Sequence, residues 1–171
     1  MTERTGIITF KGAPFTLQGT PVKVGDKAPG FTVQANDMST KTLRDYAGKV
    51  LILSAVPSLD TPVCDMETRR FNQEAATLGD DVSVLTVSAD LPFAQARWCG
   101  AAGIDAVETL SDHKDMNFGT AYGLIIKELR LLTRAVLVVN REGTITYMEI
   151  VPEVAKEPNY EAAIAAAKAA L

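Results

Sequence analysis

The sequence predicts an α/β fold with a central mixed β-sheet flanked by helices. Three observations carry that reading. Val50–Val56, Val82–Ala89 and Thr133–Val139 are apolar runs of strand length, and the second is especially rich in β-branched residues, as strands buried on both faces are. The first two are separated by a helical stretch over 65–78, which calls for a parallel crossover. The third passes through the turn Asn140–Gly143 into Thr144–Val151, so a hairpin adds an antiparallel pair.

The other elements follow in chain order. Ile7–Phe10 and Pro14–Leu17 flank Lys11-Gly12-Ala13 and predict an extra N-terminal β-hairpin over about residues 7–17. Gly and Pro punctuate 19–30, which reads as irregular. Phe31–Ala35 alternates apolar and polar and suits a strand, with a turn at Asn36–Ser39. Thr42–Tyr46 forms one helical turn, ended by Gly48. The helix after the first buried strand has Asp60 or Thr61 as N-cap and Pro62 at its first position, where a missing N–H costs nothing. Gly79-Asp80-Asp81 ends it. Pro92 opens a second helix, which runs to Gly100. Val107–Leu110 is a short strand, Asp115–Tyr122 a helix closed by Gly123, and the Ala-rich stretch Asn159–Leu171 a terminal helix.

At 171 residues the chain is long enough for one domain with a sizeable core, and no repeat or linker divides 1–171. The net charge of −4 argues against a nucleic-acid or anionic-membrane partner. No apolar run reaches membrane-spanning length, and Met1–Ile8 lacks the apolar region of a secretion signal, so a cytoplasmic location is expected. Two cysteines and one histidine do not make a usual zinc-ligand set, and a reducing compartment disfavours a permanent disulfide.

Cys64 is the leading candidate for chemistry. It falls in the first turn of a helix, where unpaired N–H groups and the helix dipole favour a negatively charged sulfur, the nucleophilic form. That helix follows a buried strand, at the sheet edge where α/β folds place their sites. The bland alternative is a small buried hydrophobe. Thr61, three residues earlier, is either a plain N-cap or a hydroxyl that hydrogen-bonds the sulfur and a polar substrate. Pro57 is either a pocket wall or a strand-ending turn. Arg134 begins an apolar strand, where an unpaired guanidinium is costly. It either forms a salt bridge or favours a nearby thiolate and holds a polarised oxygen. Cys99 reads by default as a structural thiol, although a second cysteine gives a sulfenic acid something to condense with. His113 lies in a polar loop with no assigned role, and no carboxylates form an obvious acid/base pair.

Pro57-x-x-x-Thr61-x-x-Cys64 resembles the active-site signature of the peroxiredoxins. Ser88-Ala89-Asp90-Leu91-Pro92-Phe93-Ala94-Gln95-Ala96-Arg97-Trp98-Cys99-Gly100, the N-terminal hairpin and Thr133–Val136 resemble the bacterial thiol peroxidase branch of that family, and the likeness covers nearly the whole chain. The resemblance implies a thioredoxin-like fold and a peroxidase that reduces hydrogen peroxide and organic hydroperoxides in antioxidant defence. It makes Cys64 the peroxidatic and Cys99 the resolving cysteine, which close an intrachain disulfide. Thr61 and Arg134 would bind and polarise the peroxide, and Pro57 would shield the pocket. It further implies no metal or organic cofactor, thioredoxin as reductant and a homodimer. Because the two cysteines lie on successive helices, both segments are expected to unwind locally on oxidation. Leu59, Phe93 and Trp98 hint at tolerance for organic peroxides. Two other classes compete: a redox sensor whose oxidation recruits a partner, and a binding module with inert cysteines.

Overall fold

The computed structural model describes residues 1–171. Strands β1 (Glu3–Phe10) and β2 (Ala13–Gln18) pair antiparallel around Lys11 and Gly12, which both take positive φ, 51° and 80°. This two-residue turn matches the twist of the hairpin, and Gly accepts that φ without strain. The first strand starts at Glu3 rather than Ile7, because a bulge between Arg4 and Ile8 interrupts the alternation that marks a strand.

Next come β3 (Thr32–Gln34), β4 (Thr40–Thr42), a 3₁₀ turn (Leu43–Tyr46), β5 (Val50–Ala55), α1 (Pro62–Leu78), β6 (Val82–Ser88), α2 (Pro92–Ala102) and β7 (Val107–Ser111). They are followed by α3 (Asn117–Tyr122), β8 (Ile125–Ile126), β9 (Leu131–Leu132), β10 (Ala135–Val139), β11 (Ile145–Ile150) and α4 (Tyr160–Ala169). The main sheet has seven strands in the order β11-β10-β5-β6-β7-β3-β4. β5, β6 and β7 run parallel, and the remaining pairs are antiparallel, so the sheet is mixed.

Several elements differ from the sequence reading. The hairpin is half of a second, four-stranded sheet, β1-β2-β8-β9. β4, β8 and β9 were not legible, because runs of two or three residues show no period. Helix α3 begins at Asn117 rather than Asp115: Met116 sits at φ 48°, outside the helix, and the Asp112 carboxylate receives the N–H groups of Phe118 (2.9 Å) and Gly119 (2.8 Å). β10 begins at Ala135, one residue after Arg134.

Alternation along the central strands divides the core. Leu51, Leu53, Leu85, Val87, Leu110 and Leu137 join Phe118 and Tyr122 of α3 on one face. Val50, Ile52, Val84, Val136 and Val138 meet Phe71 of α1 and Tyr160 and Ala163 of α4 on the other. On the second face the carboxyl ends of the strands turn polar: Ser54, Thr86 and Thr109 are lateral neighbours across β5, β6 and β7. This polar edge lies where helix N-termini arrive, and there the site forms.

Candidate active site

β5 delivers the chain to the sheet's carboxyl edge, where Val56 N–H still pairs with the Val87 carbonyl. The loop from Pro57 then climbs into α1. Thr61 is the N-cap, at φ −95° and ψ 146°, and Pro62 takes the first helical position. Cys64 therefore sits in the first turn. It is 0% exposed and packs with Val56 and Leu59, with Trp98 against the cluster. Burial of a nucleophilic sulfur excludes water from it, and the first-turn amides present positive dipole ends.

Arg134, which is only 2% exposed, reaches this sulfur from immediately before the neighbouring strand β10. Its Nη2 donates to Cys64 Sγ at 3.2 Å, its Nη1 to Glu67 Oε2 at 2.5 Å, and its Nε to the Val154 carbonyl at 2.8 Å. The salt bridge and the thiol contact, weighed as alternatives from sequence, occur together. Burial opposes the charge on Arg134, but Glu67 and Cys64 outweigh it and raise its pKa above the usual arginine value. Glu67 is 0% exposed, and its Oε1 accepts from Ser54 Oγ at 2.7 Å. Burial pushes its carboxyl above the usual glutamate range, against the pull of Arg134 and Ser54.

Sequence reasoning missed Glu67. A signal was present: Cys64, Glu67, Thr68 and Phe71 are spaced to share one helix face, and all four are buried. A carboxylate on the stripe that carries Phe71 demands a cation, and Arg134 is the buried cation available.

The other expected residues are placed less directly. Thr61 Oγ1 donates to the Ser58 carbonyl at 2.9 Å; it neither caps the helix nor touches Cys64, so its hydroxyl keeps its acceptor capacity. Pro57 is buried at the end of the strand. Phe93 is 67% exposed and stands outside the apolar cluster, unlike Leu59 and Trp98. Cys99 is half-buried on α2, with Sγ 3.3 Å from Thr109 Oγ1, and Thr109 in turn donates to Asn36 Oδ1 at 2.9 Å. Cys99 also borders an open cavity of about 590 Å³ that Cys64 does not line. Both thiols are free. Their sequence neighbours touch: Trp98 Nε1 donates to Asp65 Oδ1 at 2.8 Å, and Arg69 binds Asp65 Oδ2 at 2.9 Å while its guanidinium lies 5.7 Å from the Trp98 ring centre. His, Cys, Asp and Glu side chains do not gather in threes or more to hold a metal ion. No helix is long and apolar enough to cross a membrane.

Comparison with known proteins points the same way as the geometry. The model of the Redoxin family matches residues 23–164. A thiol peroxidase of Bacillus subtilis (strain 168) is 64% identical over 162 residues, covering 95% of this chain and 96% of the relative. A thiol peroxidase of Halalkalibacterium halodurans is 63% identical over 164 residues, 96% of this chain and 98% of the relative. Among solved structures, a peroxiredoxin-like protein from Aquifex aeolicus superposes with a TM-score of 0.91 at 38% identity, covering 98% of this chain and 99% of that one.

Proposed function

The chain belongs to the Redoxin family and is a thiol-dependent peroxidase of the peroxiredoxin type, and on that premise we propose that Cys64 is its peroxidatic cysteine and Cys99 its resolving cysteine. The observation that carries the assignment is the 3.2 Å contact from Arg134 to a sulfur buried in the first turn of α1. The guanidinium and the first-turn amides both aim positive charge at this sulfur.

In this reading the Cys64 thiolate attacks the near oxygen of R–O–O–H. The O–O bond breaks, and the alkoxide or hydroxide leaves with a proton as alcohol or water. Arg134 and the first-turn amides stabilise the charge that grows on the oxygens, while Thr61, whose hydroxyl hydrogen goes to the Ser58 carbonyl, accepts from the peroxide O–H. Pro57 and Leu59 keep bulk water from the sulfur. Cys64 is left as a sulfenic acid. The Cys99 thiol then attacks it: the S–S bond forms, the S–OH bond breaks, and the thiol proton leaves with the hydroxide as water.

Cys64 packs with Leu59, while Cys99 faces Thr109; in this reading both segments unwind locally as the disulfide closes, which needs Cα atoms within about 7 Å. Of the residues in α2, only Pro92 and Gln95 are fully buried, so detaching that helix exposes apolar surface mainly at Pro92 and at Trp98, which packs against the Cys64 cluster. The whole chain acts as one domain. Its substrates are hydrogen peroxide and organic hydroperoxides, and the apolar wall of Val56, Leu59 and Trp98 suits the latter. Thioredoxin is the reductant, the assembly is a homodimer, and the location is the cytoplasm, where antioxidant defence keeps these free thiols reduced.

The test is intact mass and free-thiol count after one equivalent of cumene hydroperoxide, on wild type, Cys64→Ser and Cys99→Ser. Wild type should lose two hydrogens and both thiols, Cys99→Ser should gain oxygen, and Cys64→Ser should remain unchanged. Rapid reaction of Cys64→Ser, or two surviving thiols in wild type, overturns the assignment.

A further inference from the structure

The two redox segments are tied to each other by a side chain that belongs to neither. Asp90 follows β6, and its carboxylate accepts three hydrogen bonds. Oδ1 receives Ser58 Oγ at 2.7 Å; Oδ2 receives Leu59 N–H at 2.8 Å and Ser88 Oγ at 2.7 Å. Ser58 and Leu59 belong to the loop that covers Cys64. Ser88 is buried, and its hydroxyl has no spare capacity: it gives its one hydrogen to Asp90 and accepts from Asp90 N–H (3.3 Å) and Gln95 Nε2 (2.9 Å). Gln95 is four residues before Cys99 in α2. Its Nε2 also donates to the Leu110 carbonyl at 2.9 Å. The Asp90 carbonyl in turn accepts from Ser111 Oγ of β7.

We propose that Asp90 is a positioning residue that latches the Cys64 loop and the Cys99 helix to the end of β6, so that the two release together. This inference rests on the Cys64–Cys99 assignment above. Physical reasons support a shared latch rather than two separate anchors. Gln95 and Pro92 are the only fully buried residues of α2, so apart from Pro92 and the half-buried Trp98 the helix is held by polar contacts, of which Gln95 makes the buried ones. Gln95 Oε1 is buried without a partner, so the seat of α2 is incompletely satisfied. The loop over Cys64 is likewise fixed through Ser58 and Leu59 to this one carboxylate. Release of Asp90 therefore frees the loop, and the Ser88 hydroxyl loses the acceptor that orients it toward Gln95.

The latch sets how long the sulfenic acid stays in the folded pocket. While it holds, Cys64 keeps Arg134 and reacts with peroxide; once it opens, Cys99 reaches the sulfenic acid. A weaker latch trades the first step for the second.

The test compares wild type, Asp90→Asn, Ser88→Ala and a core control, Ile52→Val, by rapid quench with thiol blocking and mass analysis. It reads three quantities: the rate of sulfenic acid formation, the rate of disulfide closure and the sulfinic fraction at high peroxide. In Asp90→Asn an amide replaces one acceptor oxygen. Disulfide closure should become about tenfold faster or more, sulfenic acid formation slower and the sulfinic fraction smaller. Ser88→Ala should change all three in the same directions. Ile52→Val, which only weakens packing, should leave the ratio of the two rates unchanged. Unchanged or slower closure in Asp90→Asn overturns the latch. If Asp90→Asn does not fold, Ser58→Ala decides, since it removes the Oδ1 bond together with only the longer bond from Asp60 N–H (3.2 Å): faster closure supports the latch, and wild-type closure overturns it. Wild type that keeps its thiols under peroxide refutes the catalytic assignment instead, whatever the variants do.

Discussion

Replacing Arg134 by Met separates the structural work of this residue from its chemical work. Arg134 is 2% exposed and Glu67 0%, so the substitution leaves Glu67 buried with Ser54 as its remaining polar partner. Removing one member of a buried ion pair costs about 3–5 kcal/mol, which for a chain of this size is a Tm drop of roughly 10–15 °C. The loss depends on pH with a definite sign. Glu67 is raised by burial already, and losing Arg134 raises it further. A raised carboxyl gives stability that is complete below the ordinary glutamate value, about 4.3, and is lost as pH rises through the folded value. The Arg134→Met deficit should therefore shrink in acid. Adding Glu67→Leu removes the orphaned carboxyl and should restore most of the stability. Peroxide reactivity should behave differently: single and double variants alike should lose about 10²–10³-fold in the second-order rate constant, since both lack the donor to the sulfur and the nascent oxyanion. Urea unfolding gives the stability, and stopped-flow fluorescence of Trp98, the only tryptophan, gives the rate. A double variant that reacts with peroxide as fast as wild type would show that Arg134 matters only as a counter-ion.

Thr61→Val removes the hydroxyl but keeps the shape, and should slow peroxide reduction by about 10–100-fold, with Thr61→Ser within a few-fold of wild type; equal rates for Val and wild type reject a substrate role for that oxygen. Asp112 is buried at the start of α3 and burial lifts its carboxyl from 3.8 to about 6. Its contribution to stability is complete below pH ~3.8 and fades through about 6, so Asp112→Asn should gain on wild type by roughly 3 kcal/mol between pH 3.5 and 7, measured by urea midpoints. A constant gap across that range contradicts the burial argument. Gly19 has φ 118°, and a Cβ there would lie 2.7 Å from the Thr120 carbonyl and 2.9 Å from that of Gly119. Both are backbone atoms that cannot step aside, so Gly19→Ala should cost about 2–4 kcal/mol by calorimetry; a loss under 1 kcal/mol would mean that the loop moves freely.

The central sheet was legible because its strands are buried on both faces and read as unbroken apolar runs. Val50–Ala55, Val82–Ser88 and Ala135–Val139 fall within a residue or two of the expected limits. Helix α1 was legible because Pro62 marks its first position. The second sheet was not: Ile125–Ile126 and Leu131–Leu132 gain their partners from β2 and from each other, and two residues carry no period. Cys64 and Arg134 could each be singled out, but no local pattern brings together residues 70 positions apart. Glu67 went unnoticed because its meaning depends on that same long-range contact. Thr61 was placed correctly as N-cap by position, while its hydroxyl found a nearer acceptor in the Ser58 carbonyl, a turn interaction that competes with capping.

Two anionic partners for one buried guanidinium look excessive until the redox cycle is followed. In the proposed reaction the thiolate charge is present only before peroxide is reduced. A sulfenic acid or a disulfide at Cys64 carries none, and Arg134 would then be a bare charge 2% exposed, at a cost of several kcal/mol. On this reading Glu67, itself held by Ser54, would keep Nη1 partnered while Nη2 exchanges sulfur for oxygen. On this account Glu67→Gln should keep a peroxide-reactive Cys64, because the competing carboxylate is gone and the amide oxygen can still accept from Nη1. It should however lose stability selectively in the disulfide form, where no other anion meets the guanidinium. Unfolding midpoints of the reduced and oxidised variant that fall equally would refute a permanent counter-ion role.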